Sequence, residues 1–250
     1  MKLQDKVAII TGGGTGIGKG IAKCFVEEGA RLMLAQRRLE VAEQTAKELG
    51  VQAISCDVSS LPQVQKLIDE TIKQFGHIDI LVNNAAVTGM PSLAPFLECP
   101  EETWDSILNV NLKGAFLCSQ AVARHMVARE QGVIINISSA GAFVGQKQST
   151  AYCASKSGIE GLTKAMAIEL SSKGIRVAGI APGDILVEKN HQQTQDMIEA
   201  GFDLTFSRKT PLDRRGVPKD IGGAAVFLAS DDASFVHGTT LIVDGGYLAY

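Results

Sequence analysis

Seven short β-rich runs alternate with longer segments of helical period along this chain of 250 residues, and that alternation is its strongest architectural constraint. The runs are Val7 to Ile10, Leu32 to Leu34, Ala53 to Ile54, Ile78 to Val82, Val133 to Ile137, Val177 to Ile180 and Leu241 to Val243. Between them, apolar residues recur at helical spacing over Gly18 to Glu28, Leu39 to Leu49, Pro62 to Phe75, Thr103 to Arg129, Tyr152 to Ser171 and Pro218 to Ala229. Strand, helix and strand in repetition build βαβ units with right-handed crossovers. The expected fold is therefore α/β: a doubly wound, seven-stranded parallel sheet with helices on both faces. Several runs are apolar throughout, as strands covered on both faces are.

No linker, composition shift or fixed-period repeat divides the chain, so residues 1–250 read as a single domain. One stretch breaks the rhythm. From Asp184 to Pro211, polar Asn190-His191-Gln192-Gln193 mixes with isolated Met197, Phe202 and Phe206. An excursion of that length inside a compact domain reads as a substrate lid, expected around 184–211.

Composition excludes several classes. With 45% hydrophobic and 20% charged residues the chain is neither disordered nor fibrous. A net charge of −3 with scattered Lys and Arg gives no basic field for nucleic acid. No apolar run approaches the roughly 18 residues of a membrane helix, and Met1-Lys2-Leu3-Gln4-Asp5-Lys6 lacks the apolar core of a signal peptide. A cytoplasmic protein with no membrane partner is expected. The five cysteines are widely spaced and read as reduced thiols, with Cys153 notable only for its neighbour Tyr152. No His/Cys/Asp/Glu group has ligand spacing, so no metal is expected.

Directly after the first run comes Thr11-Gly12-Gly13-Gly14-Thr15-Gly16-Ile17-Gly18, five glycines in eight residues before a helix. Strand, glycines and helix N-terminus form a phosphate cradle, because close backbone approach needs residues without Cβ and the helix start offers free N–H groups. Taken alone the stretch also fits a tight turn. Gly12, Gly16 and Gly18 give G-x-x-x-G-x-G, one residue longer in its first gap than the usual Rossmann spacing. The Walker alternative lacks its closing G-K-[ST], since Gly20 follows Gly18-Lys19.

In a Rossmann-like fold the end of the second strand meets the adenosine ribose, where an acid suits NAD and an Arg suits the 2′-phosphate of NADP. Here that strand ends Leu34-Ala35-Gln36-Arg37-Arg38. Two guanidiniums and no carboxylate favour NADP(H). NAD(H) stays open, with Gln36 accepting a ribose hydroxyl and the arginines solvated.

Further along, Ser138-Ser139 closes an apolar strand and Tyr152-Cys153-Ala154-Ser155-Lys156 opens a helix. Tyr152 and Lys156 are four apart on one helical face, where an ammonium favours phenolate and so lowers a tyrosine pKa. A surface pair would have the same spacing. A hydroxyl pair beside a dinucleotide would serve hydride transfer, in which the protein need only position a carbonyl and stabilise alkoxide charge.

Taken in order, the motifs resemble those of the classical short-chain dehydrogenase/reductase family over essentially the whole chain. They are "TGGGTGIG", "CDV" at Asp57, "NNAA" from Asn83, "NVN" from Asn109, "NISS" from Asn136, "YCASK" from Tyr152 and "PG" at Pro182-Gly183. The resemblance implies Tyr152 as acid/base, Ser139 as hydrogen-bond donor to the substrate oxygen, and Lys156 as ligand of the nicotinamide ribose that also lowers the Tyr152 pKa. It implies Asn111 as holder of a water linking Lys156 to solvent, with Ser138 and Asn109 structural. Cofactor contacts implied are Gly12, Gly14, Thr15, Gly16, Ile17 and Gly18 at the phosphates, Gln36 and Arg37 at the ribose, and Asp57 and Val58 at the adenine. Asn83 to Ala85 would run along the adenosine ribose, with Pro182, Gly183 and Ile185 at the nicotinamide. Two positions depart from the pattern: Ala86 stands where the family has Gly, and Val187 where many members have Thr. The family also implies a homotetramer built through the helices of 103–129 and 152–171 and the C-terminal strand.

The function so implied is interconversion of a ketone or aldehyde and an alcohol on a small carbonyl, alcohol or sugar substrate. The alternatives are a 3-oxoacyl-(acyl-carrier-protein) reductase, which needs basic residues to hold an acidic carrier, and a non-catalytic cofactor-binding regulator. The substrate wall is expected from Ala140-Gly141-Ala142, Gln146, Val87 to Phe96 and Leu186 to Phe206. Trp104 and the four histidines, His77, His125, His191 and His237, read as packing or solvated residues.

Overall fold

The computed structural model describes residues 1–187 and 210–250. Its centre is one seven-stranded sheet in the order β3-β2-β1-β4-β5-β6-β7, every pairing parallel. The strands are β1 (Val7–Thr11), β2 (Arg31–Gln36), β3 (Gln52–Ser55), β4 (Ile80–Asn83), β5 (Gly132–Ile137), β6 (Ile175–Pro182) and β7 (Thr240–Val243). The helices among the described residues are α1 (Gly16–Glu27), α2 (Leu39–Leu49), α3 (Leu61–Phe75), α4 (Glu101–Leu108), α5 (Gly114–Val127), α6 (Thr150–Leu170) and α7 (Pro218–Ala229).

The doubly wound expectation holds, and its physical basis is visible in burial. Alternate residues of the inner strands feed two apolar layers: Ile10 of β1 and Ile80 of β4 face one, Ile9 and Leu81 the other. Val7 through Thr11 are all buried, which is why that run lacks a polar alternation. Strand order reverses between β1 and β4, and in open parallel sheets that reversal opens a crevice at the strand C-termini.

The sequence suggested one helix from Thr103 to Arg129, but the structure divides it. Helix α4 passes into a five-residue π-turn, Asn109–Lys113, before α5 resumes. No glycine or proline sits inside that turn to signal it. Asn111 supplies a reason: its buried side chain accepts from Val87 N–H at 2.7 Å and donates to Val87 O at 3.3 Å, tying the wide turn to the chain beyond β4. Most of the expected lid, including His191, lies outside the described residues. No helix among them is long and apolar enough to cross a membrane.

Candidate active site

The ends of β1, β2, β4, β5 and β6 open into a cleft of about 910 Å³. Its floor begins at the glycine turn. Gly12 and Gly16 have φ of +65° and +54°, a region costly for any residue with Cβ. Gly18 is needed for space instead, because a Cβ there would meet the Gly12 carbonyl oxygen at 2.2 Å. Helix α1 starts with Thr15 as N-cap, but the Thr15 side chain makes no capping bond and the first turn carries no acid. Its N–H groups and positive dipole end therefore remain available to an anion.

The same turn is buttressed from β4. Thr11 Oγ1 accepts from the amides of Asn84 and Ala85 at 3.0 and 3.1 Å, and Asn84 Nδ2 donates to Thr11 O and Gly12 O at 2.9 and 3.1 Å. Asn84 lines the cleft and carries this bracing, a role that escaped the sequence reading. Val187 lies over the glycines: a Cβ on Gly16 would stand 3.3 Å from its Cγ1.

At the β2 end, Gln36, Arg37 and Arg38 line the cleft opposite Asp57 and Val58. Gln36 Oε1 is buried with no hydrogen-bond partner among the described residues, an orphaned acceptor that a ligand hydroxyl would satisfy. Arg37 is exposed, and its positive charge helps hold the Asp57 carboxyl below the usual carboxylate range, behind the larger effect of the Ser59 hydroxyl bond. An open cradle for phosphate, an orphaned acceptor and two guanidiniums together fit a dinucleotide.

At the β5 end the polar groups converge. Ser139 stands in extended conformation just past β5, and its Oγ accepts from Gly141 N–H at 3.0 Å. The Ser139 hydroxyl also hydrogen-bonds the Tyr152 phenol. Lys156, one turn along α6, donates from Nζ to Ile137 O at 2.8 Å and lies 5.8 Å from the centre of the Tyr152 ring. Ser155, fully buried between them, donates to Tyr152 O at 2.7 Å and accepts from Asn111 Nδ2 at 3.1 Å. Asn111 thus links the π-turn to the second turn of α6.

Electrostatics correct one expectation. Burial pushes the Tyr152 phenol up from its ordinary value, and the Ser139 hydrogen bond offsets only part of that rise. Burial pushes the Lys156 ammonium down to about 8. The expected lowering of Tyr152 by Lys156 is thus not present: burial sets the direction of the shift, and the ammonium is directed at the Ile137 carbonyl.

Of the residues singled out in the sequence, Gly12, Thr15, Gly16, Ile17, Gln36, Arg37, Asp57, Val58 and Ala85 line the cleft together with Ser139, Tyr152, Lys156, Pro182, Gly183 and Ile185. Gly14, Gly18, Asn83 and Asn111 stand behind its wall. Gly14 packs against α2 at Val41 and Ala42. Asn83 is buried in a chain of amides and hydroxyls, donating to Ser119 Oγ and Asn136 Oδ1 at 2.8 Å each. Ser138 donates to Lys156 O at 3.4 Å, a contact within the wall.

The expected substrate wall needs correction as well. Ala140, Gln146, Val87 and Leu93 line the cleft, whereas Gly141 and Ala142 turn behind Ser139, and Phe96 points outward with 74% of its surface exposed. Asp184, Arg215 and Tyr247 join the wall although they are far apart in sequence. Trp104, expected to pack, remains 40% exposed. His237 behaves as a structural histidine: Nδ1 accepts from Val177 N–H at 3.1 Å and Nε2 donates to Ala167 O at 2.8 Å. Cys153 is half-buried, with its thiol pushed up by burial.

Comparison with known proteins agrees with this geometry. Residues 12–248 match the family described as enoyl-(acyl-carrier-protein) reductase. The chain is 39% identical to D-threitol dehydrogenase of Mycolicibacterium smegmatis over 98% of its own length and 94% of that protein. It is 36% identical to 3-oxoacyl-(acyl-carrier-protein) reductase of Thermotoga maritima, covering 98% and 99%, and 37% identical to galactitol 2-dehydrogenase of Agrobacterium fabrum, covering 98% of each. The crystal structure of levodione reductase matches with a TM-score of 0.90 and 32% identity over 99% of this chain and 100% of that one. Ordered motifs, a parallel seven-stranded sheet and relatives matched over nearly their full length lead to one conclusion: the chain belongs to the short-chain dehydrogenase/reductase family, whose cofactor is NAD(P), and is an oxidoreductase acting on CH–OH groups and their carbonyl counterparts.

Proposed function

We propose that the chain, as one dinucleotide-binding domain, is an NADP(H)-dependent oxidoreductase that interconverts a small ketone or aldehyde and its alcohol, with Tyr152 as acid/base. The observation that carries this reading is the convergence of Ser139, Tyr152 and Lys156 in one cleft with the glycine turn. A bound nicotinamide dinucleotide supplies or accepts the hydride.

In reduction the Tyr152 phenol gives its proton to the carbonyl oxygen, and in oxidation it takes the alcohol proton. Ser139 holds the same oxygen by donating to it. Its Oγ accepts from the Gly141 amide, which fixes the oxygen on the cleft wall while its proton stays free to donate. Lys156 binds the nicotinamide ribose, and Asn111, tied to Ser155, keeps α6 in phase with the π-turn and holds the water that connects Lys156 to solvent. Gly12, Thr15, Gly16 and Ile17 take the phosphates, with Gly14 and Gly18 shaping the turn. Asp57 and Val58 meet the adenine, while Ala85 borders the adenosine ribose and Asn83 braces that wall from behind. Pro182, Gly183 and Ile185 receive the nicotinamide. Arg37 takes the 2′-phosphate that distinguishes NADP(H) from NAD(H), and Gln36 Oε1 accepts from a ribose hydroxyl.

The relatives that act on threitol and galactitol support a small polyol or sugar-derived substrate. A reductase of carrier-bound 3-oxoacyl groups is the second reading, since one relative carries that activity. Against it, Arg129, a cation that could meet an acidic carrier, is already engaged by Asp79 Oδ1 at 3.1 Å and Ile78 O at 3.0 Å. Exposed Leu241 and Ile242 on the edge strand β7, with Phe116 on α5 and Ile168 on α6, fit assembly into a homotetramer.

The experiment is a panel of polyols, sugars, simple ketones and acetoacetyl thioester, each assayed with NADPH/NADP⁺ and NADH/NAD⁺. Turnover of free polyols or ketones with the phosphorylated cofactor is expected. Turnover restricted to the thioester favours the second reading, and binding of cofactor with no turnover of any substrate favours a regulator.

A further inference from the structure

A second polar feature of the cleft lies apart from Ser139 and Tyr152. Asp184 follows β6 closely, and Arg215 lies on the returning chain shortly before α7. Arg215 donates from Nη2 to Asp184 Oδ1 at 2.6 Å, and both residues line the cleft. Backbone contacts fix their approach. Gly216 N–H donates to Asp184 O at 3.0 Å, Leu186 N–H donates to Gly216 O at 2.8 Å, and a parallel bridge joins Ile185 to Gly216. Strands β5 and β6 pair at Ile137 and Ile180, so Asp184 stands beyond the end of the strand next to the one that carries Ser139.

Both side chains stay more than a third exposed, at 39% and 37%, so a ligand can reach them and the pair adds little to stability. Its chemistry is more informative. An Arg alone would draw carboxylates or phosphates, but Asp184 cancels that charge and sets an acceptor beside the remaining guanidinium donors. A neutral ligand with adjacent hydroxyls satisfies both, one hydroxyl donating to the carboxylate and the next accepting from the guanidinium. Gln146, also on the wall, offers a donor and an acceptor in one amide.

We infer that Asp184 and Arg215 are the specificity-determining pair of this enzyme and select neutral substrates bearing a vicinal diol. The inference rests on the oxidoreductase reading of the cleft. In it, Arg215 presents the donor and Asp184 both accepts a hydroxyl and keeps anionic substrates out.

The test compares kcat/KM for threitol, xylitol and galactitol with that for 2-butanol and for 3-hydroxybutyrate, in the wild type, Asp184→Asn and Arg215→Gln. Ratios are taken within one preparation, so a partly unfolded variant does not distort them. Each variant is expected to lower the polyol to butanol ratio by about tenfold, the scale of one lost charge-assisted hydrogen bond. Asp184→Asn alone is expected to raise the 3-hydroxybutyrate to butanol ratio, because Arg215 is then uncancelled. Ratios within twofold of wild type in both variants overturn the inference, as does a wild type that prefers 3-hydroxybutyrate to every polyol. A wild type that oxidises none of these alcohols with either cofactor defeats the oxidoreductase reading itself, and the inference with it.

Discussion

The Gly141 amide donates to Ser139 Oγ at 3.0 Å, and the same hydroxyl hydrogen-bonds the Tyr152 phenol. Ser139→Ala removes that donor and also the acceptor of the Gly141 amide. Loss of one preorganised donor of this kind costs about 100- to 1,000-fold in kcat. Steady-state kinetics on any accepted ketone, with cofactor affinity measured alongside, checks it: kcat should fall while the cofactor Kd stays within a fewfold.

Lys156 is buried with its pKa pushed down to about 8 from 10.5, so folding takes up part of the cost of an uncomfortable ammonium. The unfolded chain binds more protons than the folded one between those two values, and stability therefore rises with pH across that window. Below about 8 the cost is fully present, of order 3 kcal/mol before the bond to Ile137 O returns about 1 kcal/mol. Lys156→Met should therefore inactivate the enzyme yet stabilise the cofactor-free protein at pH 7, and the advantage should shrink as pH climbs through the window. Denaturant titrations of both proteins at several pH values measure it.

Tyr152 keeps its proton through the neutral range, because burial raises its pKa and Ser139 only partly opposes that. Reduction, which uses the protonated phenol, suits this state. Oxidation of the alcohol needs a proton acceptor, so its kcat/KM should keep climbing with pH beyond the neutral range. A plateau near neutrality would mean that the phenol ionises far below the range that its burial dictates.

Arg37 is exposed at the mouth of the cleft, close enough to Asp57 for its charge to be felt there. Its removal in Arg37→Ala should weaken NADPH by about tenfold or more, the scale of one charge-assisted contact to phosphate, and leave NADH nearly unchanged. Fluorescence titration with each cofactor checks it. Equal losses for both would assign Arg37 to the solvated surface and leave Gln36 as the ribose contact.

The seven-stranded parallel sheet and the glycine turn were legible because each rests on local signals: apolar runs of strand length, and glycines where backbone conformation or contact forbids Cβ. The same holds for Tyr152 and Lys156, whose spacing alone sets them on one helical face. Other features depend on partners distant in sequence. The π-turn at Asn109–Lys113 arises where Asn111 binds the Val87 backbone, and no residue within the turn announces it. Asp184, Arg215 and Tyr247 come together only once β6 and the chain beyond it have folded. The direction of the Tyr152 shift was also beyond sequence reading, since spacing suggested a charge effect and gave no measure of burial.

The most direct measurement of the central claim is single-turnover reduction of an accepted ketone by the NADPH complex of Tyr152→Phe beside that of the wild type. The variant loses the phenolic proton and keeps the ring, so cofactor should bind with similar affinity. Hydride transfer should slow by about 100- to 10,000-fold, the range general acid catalysis supplies. An unchanged rate with intact cofactor binding would contradict the assignment of Tyr152 as the proton donor.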